Sequence, residues 1–146
     1  MNAPPKIYYT TEQEYRGHFE RVYCQQPITT FDNIRVRFRE SDFDHCMFES
    51  SKRNTVKETF SRKRAERIDW IKATLADPLA DMRQGWDKRR KRIAPERRVA
   101  IAHEEFVVII AISKPKRGGY IADFVTAFLA ENNILKIKAM PRWVGI

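Results

Sequence analysis

Residues 105–112 read EFVVIIAI. A near-continuous apolar run of that length, rich in Val and Ile, suits a central strand covered on both faces. The chain around it builds a sheet. Lys114 to Gly119, with Pro115 and Gly118–Gly119, turns the chain, and YIADFVTAFL at 120–129 returns as the antiparallel partner. VAIA at 99–102 fits a short strand or, after Pro95, a helical turn; a strand turning at His103–Glu104 is the expectation. Asn132–Asn133 makes another turn, and ILKIKAM is expected to close the sheet.

The N-terminal half reads as helix. Residues 1–9, with Pro4–Pro5, form a loose arm. Thr10 or Thr11 caps a short helix running to about Tyr23, with Tyr15, Phe19 and Val22 on one side. Pro27 ends it. IRVRFR at 34–39 alternates, with Ile34, Val36 and Phe38 inward and Arg35, Arg37 and Arg39 on a wet, basic face. A second helix is expected from about Val56 to Ala76, stopped by Asp77–Pro78. Gly85, Pro95 and dense charge mark 79–98 as a loop. Helices first and an antiparallel meander after them define an α+β domain, one unit over 1–146, with 10–42 supplying the first helix and the basic strand.

The helix containing RKRAERIDWI carries an anomaly. On a helical wheel, Phe60, Ile68, Ile71, Leu75 and Trp70 share an apolar arc, and Arg64 and Arg67 fall inside it. Guanidinium groups on a core-facing stripe are costly unless an anion meets them. Either they snorkel or pair internally, or they are aimed at a ligand.

Charge favours a polyanionic ligand. The 146 residues hold 28 Lys and Arg against 19 Asp and Glu. Two segments, 52–72 and 83–98, hold eight basic residues each. Such concentrations suit a polyphosphate, because each neutralised phosphate releases counterions. Arg35, Arg37, Lys57, Lys88, Arg89, Arg90 and Lys91 are the candidate phosphate contacts. Tyr120 and Phe128, on one face of the 120–129 strand, are candidate stacking surfaces if that face is open. The opposite, more aliphatic face (Ile121, Asp123, Val125, Ala127, Leu129) is expected to receive the helices. No apolar run approaches the ~18 residues that a membrane helix needs, and no apolar stretch of a secretory signal appears, so a soluble, cytoplasmic protein is expected. Cys24 and Cys46 make no C-x-x-C pair, and no disulfide framework is expected.

His45 is the most useful histidine, able to exchange protons near neutrality, although lone histidines more often serve structure. Thr126 is a weaker candidate, since threonine favours strands anyway. Glu40, Asp42 and Asp44 recur at alternate positions beside His45. In an extended segment they would share one face and offer carboxylates to Mg²⁺; offsetting nearby arginines is the plainer role. No phosphate-binding glycine loop, nucleophile elbow or H-E-x-x-H occurs.

The order DHCMF, then F-x(3)-R-A-E-R-I-D-W-I-K-x(2)-L-x-D-P, then an apolar strand, then DFVTAF resembles the phage-associated nucleases of the barnase–EndoU–colicin–RelE-like superfamily. The resemblance covers roughly residues 43–138, which it makes a nuclease-like core. It implies a small α+β endoribonuclease, toxin-like or a phage effector, that cuts RNA without metal or cofactor. The family's histidine matches His45, its helix arginines match Arg64 and Arg67, and its strand hydroxyl matches Thr126. The following aromatic, often tyrosine, is Phe128 here, so a role needing a phenol is in doubt. Such chemistry uses the substrate's 2′-hydroxyl as nucleophile, with cations on the phosphate; one lost donor can raise the barrier by ~2.7–4 kcal/mol. Lys57 is a weak candidate for the second proton-transfer group. The expected partner is RNA (tRNA, mRNA or rRNA), with an inhibitor or immunity protein as a possible second. The alternatives are a non-catalytic RNA-binding module, a Mg²⁺-dependent nuclease using Glu40, Asp42 and Asp44, or a scaffold that has lost its chemistry.

Overall fold

The computed structural model describes residues 3–49 and 59–145. Thr11 opens helix α1 (Glu12–Phe19). Its hydroxyl accepts from the Glu14 N–H, and the Glu14 carboxylate accepts from the Thr11 N–H, a reciprocal cap that satisfies two end groups. The helix widens into a π-helical turn, Glu20–Cys24, and buries Tyr15, Phe19 and Tyr23. Strand β1 (Ile28–Thr29) turns back as β2 (Arg35–Arg37), where Val36 is buried and both arginines are exposed, as the alternation requires. ESDFDHCMF, whose conformation the sequence left open, is helix α2 (Asp42–Met47) and strand β3 (Phe48–Glu49).

The long helix expected at 56–76 is not continuous. Its first residues lie outside the described residues; Thr59–Phe60 form strand β4, paired with β3. Ser61 caps a one-turn helix α3 (Arg62–Ala65), and α4 (Ile68–Leu75) follows. The break has a local cause. The Glu66 carbonyl, which an unbroken helix would offer to Trp70, accepts instead from the Ile7 N–H at 2.7 Å, and the Trp70 N–H goes to Arg67. The N-terminal arm is therefore docked, not loose: the Trp70 indole donates to the Pro4 carbonyl at 2.8 Å, and the Tyr15 hydroxyl donates to the Ile7 carbonyl at 2.8 Å.

Residues 79–98 are likewise not a loop. Strand β5 (Asp81–Asp87) pairs with β6 (Arg92–Ile101) as a hairpin. Gly85 and Pro95, which look like breakers, occupy a bulge: Gln84 opposes Arg98, Gly85 opposes Ala94, and 95–97 are left over. A proline without an N–H is tolerated there. A Cβ on Gly85 would lie 2.9 Å from the Arg97 Cβ, so only glycine fits the close approach. A short 3₁₀ turn, His103–Glu105, leads to β7 (Phe106–Ser113) and then β8 (Ile121–Leu129).

The sheet order is β1-β2-β8-β7-β6-β5, antiparallel except for β2 beside β8. This is the expected α+β class, with helices on a mostly antiparallel sheet. Val125 is an extra residue in β8, because Ile109 opposes Thr126 and Ile110 opposes Phe124. The alternation therefore switches midway: Ala122 and Phe124, then Ala127 and Leu129, face α1, α2 and α4. The expected aliphatic face is only half right. The opposite face carries Val99, Ile101 and Val107, covered by Phe128, Ile134 and Ile137. Those last two residues belong to a helix, α5 (Ile134–Lys138), where a closing strand was expected. Their spacing of three turns both onto one small cluster, and β8 already lies between β2 and β7.

One buried ion pair fastens the β1–β2 loop to β6. Arg98, 2% exposed, donates to Asp32 at 2.8 and 3.2 Å and lies between the rings of Phe31 and Trp143. Burial pushes the Asp32 carboxyl upward, but hydrogen bonds from Arg98 and from the Thr30 hydroxyl outweigh it, and the group sits below its ordinary value. A carboxyl held low in the folded state contributes stability above its unfolded value near 3.9 and loses it as pH falls further. Asp32→Asn strands the buried guanidinium. The expected cost is roughly 2–4 kcal/mol in a urea titration at neutral pH, discounted because Asp32 is partly exposed. The deficit should shrink as pH falls below the unfolded carboxyl value and through the lowered folded one. Equal stability at pH 7 would contradict the role of this pair.

Candidate functional site

α3 and the far end of β8 border an open cavity of about 550 Å³. It is lined by Glu49, Lys63, Arg64, Phe128, Leu129, Glu131, Asn132 and Asn133. Three local features place these groups. The Ser61 cap starts α3 with Lys63 and Arg64 in its single turn. The Val125 bulge puts Phe128 on the face opposite Leu129. The turn after β8 brings up the two asparagine amides.

The cations at this cavity have loose partners. Arg64 Nε lies 3.3 Å from a Glu49 oxygen, and Arg64 Nη1 donates to the carbonyls of Phe48 at 3.3 Å and Cys46 at 3.5 Å. Lys63 donates to Glu131, whose carboxyl is held below the ordinary range chiefly by that hydrogen bond. Glu49 and Glu131 are 51% and 54% exposed. Pairs with a half-exposed carboxylate are worth only ~0.2–1 kcal/mol, so an incoming anion can replace the carboxylates at little cost, while Arg64, its side chain 21% exposed, keeps its two carbonyl contacts.

Arg67 is different. Its side chain is 7% exposed. Its Nη1 donates to the Lys63 carbonyl at 2.6 Å and to Glu66 at 2.9 Å, Nη2 lies 3.9 Å from Glu104, and the group sits 5.1 Å from the Trp70 ring. It does not line the cavity. The break after Glu66 turns it toward the molecule's own acids, so the two inward arginines of the helical wheel part company.

The remaining sequence candidates spread out. His45 is exposed on α2 and does not line the cavity, although its neighbour Cys46 accepts from Arg64. Thr126 is half-buried on β8, two residues before Phe128 and beyond the bulge. Arg37 forms a two-pronged pair with Asp123, both bonds 3.0 Å; Arg35 is exposed beside it. Lys88, Arg89, Arg90 and Lys91 form the exposed tip of the β5–β6 hairpin. Tyr120 lies at the start of β8 beneath Lys114. Lys57 lies outside the described residues. The structure thus joins Arg64 and Phe128 and leaves His45, Arg67 and Thr126 outside the cavity lining.

The alternating carboxylates do not converge. α2 is helical, so neighbours two apart point in different directions. The Asp44 carboxylate accepts from Arg16 at 2.7 Å, and Asp42 accepts from the Arg39 N–H at 2.8 Å. Among the described residues no cluster of three or more His, Cys, Asp or Glu groups can hold a metal ion. Glu40, Asp42 and Asp44 do not fit Mg²⁺ in this arrangement. No described helix is long and apolar enough to cross a membrane.

Lys63, Glu49, Glu131 and the asparagine pair were missed in the sequence. Lys63 could have been found, since it adjoins Arg64; the others reach the cavity only through the β3–β4 pairing and the turn after β8. No protein family, curated protein or solved structure matches the chain.

The two arginines should behave oppositely on truncation. Arg67→Ala removes a buried, paired charge and is expected to cost about 2–4 kcal/mol, or roughly 5–15 °C in Tm. Arg64→Ala should cost less than about 1 kcal/mol. Comparable losses in calorimetry would contradict the division into a structural and an available guanidinium.

Proposed function

We propose that the protein is a metal-independent endoribonuclease whose reaction centre is the cavity at Lys63 and Arg64. The observation that carries this reading is the meeting of two lightly held cations, two ionisable carboxylates and an aromatic ring around one open cavity. They supply a proton acceptor and the cations that cleavage by an internal 2′-hydroxyl needs. The hydroxyl attacks the adjacent phosphorus, a carboxylate accepts its proton, the 5′-oxygen leaves with a proton from a donor, and the cations hold the negative charge that builds on the phosphate. Glu49, beside Arg64, is the proposed proton acceptor. His45, on the helix whose end Arg64 touches, is the proposed donor to the leaving oxygen. Phe128 offers a face for a base, and Thr126 and the asparagine amides orient the strand. The resemblance of the motif order to phage-associated nucleases supports the same class of reaction.

A second reading, an RNA-binding module without chemistry, is favoured by one observation: Arg67 is consumed internally and His45 stands outside the cavity lining.

Incubation with total RNA and with tRNA in excess EDTA separates them. The proposal expects cleavage with 2′,3′-cyclic phosphate ends and no cutting of DNA, which lacks the nucleophile. Arg64→Ala should lower kcat about 10²–10³-fold, with Glu49→Gln and His45→Ala also strongly impaired. Salt-sensitive retention of intact RNA under every condition would establish the binding-only reading, and activity restored solely by added Mg²⁺ would overturn the mechanism.

A further inference from the structure

The sheet separates the candidate RNA contacts into two groups. β8 runs nine residues, Ile121–Leu129, from Tyr120 to the cavity, roughly 25–30 Å at strand rise. Ser113 opposes Ile121, Arg97 opposes Ala111, and Arg35 opposes Ile121. The β5–β6 tip, the β7–β8 turn and the start of β2 therefore lie at one end of the sheet, and the cavity lies at the other.

At that first end cations outnumber carboxylates. Among the described residues Arg35, Lys88, Arg89, Lys91, Lys114, Lys116 and Arg117 make no ion pair, while Arg90 and Arg92 make only long ones, 3.9–4.0 Å, to Asp87 and Glu96. The tip is nevertheless ordered: the Asp87 carboxylate accepts from the N–H groups of Arg89 and Arg90. Just below it, Trp86 opposes Ile93 across the hairpin, and opposed residues share a face. Trp86 is 51% exposed. Folding leaves half of an indole in water beside a basic tip, and core packing does not account for it.

We propose that this end of the sheet is a docking site for single-stranded nucleic acid, with Trp86 stacking on an unpaired base and the tip and turn cations following the phosphates. It goes beyond the cavity's proposed chemistry and shares with it only the class of partner. An indole face needs a splayed base, which a duplex does not offer, whereas stacking plus a basic track is how single strands are held. Two exposed apolar side chains on a narrow ribbon give little area for insertion into a bilayer, so an anionic lipid surface is the less favoured occupant.

The test is fluorescence anisotropy of the full chain with labelled single-stranded RNA, single-stranded DNA and duplex RNA of equal length. Anionic phosphatidylserine vesicles are assayed in parallel by sedimentation. Tight binding of both single strands and weak binding of duplex are expected. Trp86→Ala should weaken single-strand binding about 5- to 100-fold, and Trp86→Phe much less. Lys88→Gln/Arg89→Gln/Lys91→Gln should reduce the salt slope by about 2. Duplex bound as tightly as single strands, unchanged affinity in Trp86→Ala, or binding to vesicles alone would each overturn the proposal. Cleavage of a short dinucleotide RNA reports on the cavity separately: its persistence in Trp86→Ala is expected, and its absence in the wild type would sink the enzymatic reading without touching this one.

Discussion

Buried guanidinium groups set the terms of this fold. Arg98 and Arg67 are almost wholly removed from water, and each needs an acid of its own to stay there. Asp32 and Glu66 meet that need, with Glu104 nearby. The first pair fastens the β1–β2 loop to β6. The second sits at the break between α3 and α4, where the N-terminal arm takes the Glu66 carbonyl. Because the chain carries an excess of nine basic residues, acids used inside are not available outside. The cations left over form the surface proposed to meet a polyanion, and they gather where the sheet turns at the tips of β5–β6 and β7–β8.

β8 is the axis along which the proposed functions are arranged. At its start lie Tyr120 and the basic turns; at its end lie Phe128, the asparagine turn and the cavity with Lys63 and Arg64. The bulge at Val125 decides which side chains of the second half face the helices and which face α5. The inserted residue thus decides that Leu129, not Phe128, packs against the main core. In the proposed arrangement an RNA strand held at both ends would run the length of this strand, and affinity and chemistry would be carried by different residues.

The sequence made the central strand, the capped first helix and the α+β class legible, because these depend on local periodicity and capping. It failed where long-range pairing decides. The hairpin at 81–101 looks like a loop because Gly85 and Pro95 are usually breakers, yet each suits one position of a bulge. ILKIKAM fits a strand or a helix equally, and the covered edges of β8 with the cluster at Val107 choose the helix. For the site, the helical wheel correctly found two inward arginines but assumed one continuous helix. The backbone bond from Ile7 to Glu66 breaks that helix and sends Arg67 and Arg64 to different fates. Glu49 and Glu131 came to the cavity through contacts far apart in sequence, with no local signal to mark them.

The central claim is that Arg64 is held in readiness for a phosphate while Arg67 and Arg98 belong to the fold. Side-chain ¹⁵N–¹H spectra of the arginine Nε groups, recorded while a short, non-cleavable 2′-deoxy or 2′-O-methyl oligonucleotide is titrated in, address it directly. A large shift of the Arg64 resonance with Arg67 and Arg98 unmoved is the expected result. Movement of Arg67 with Arg64 silent would contradict the account.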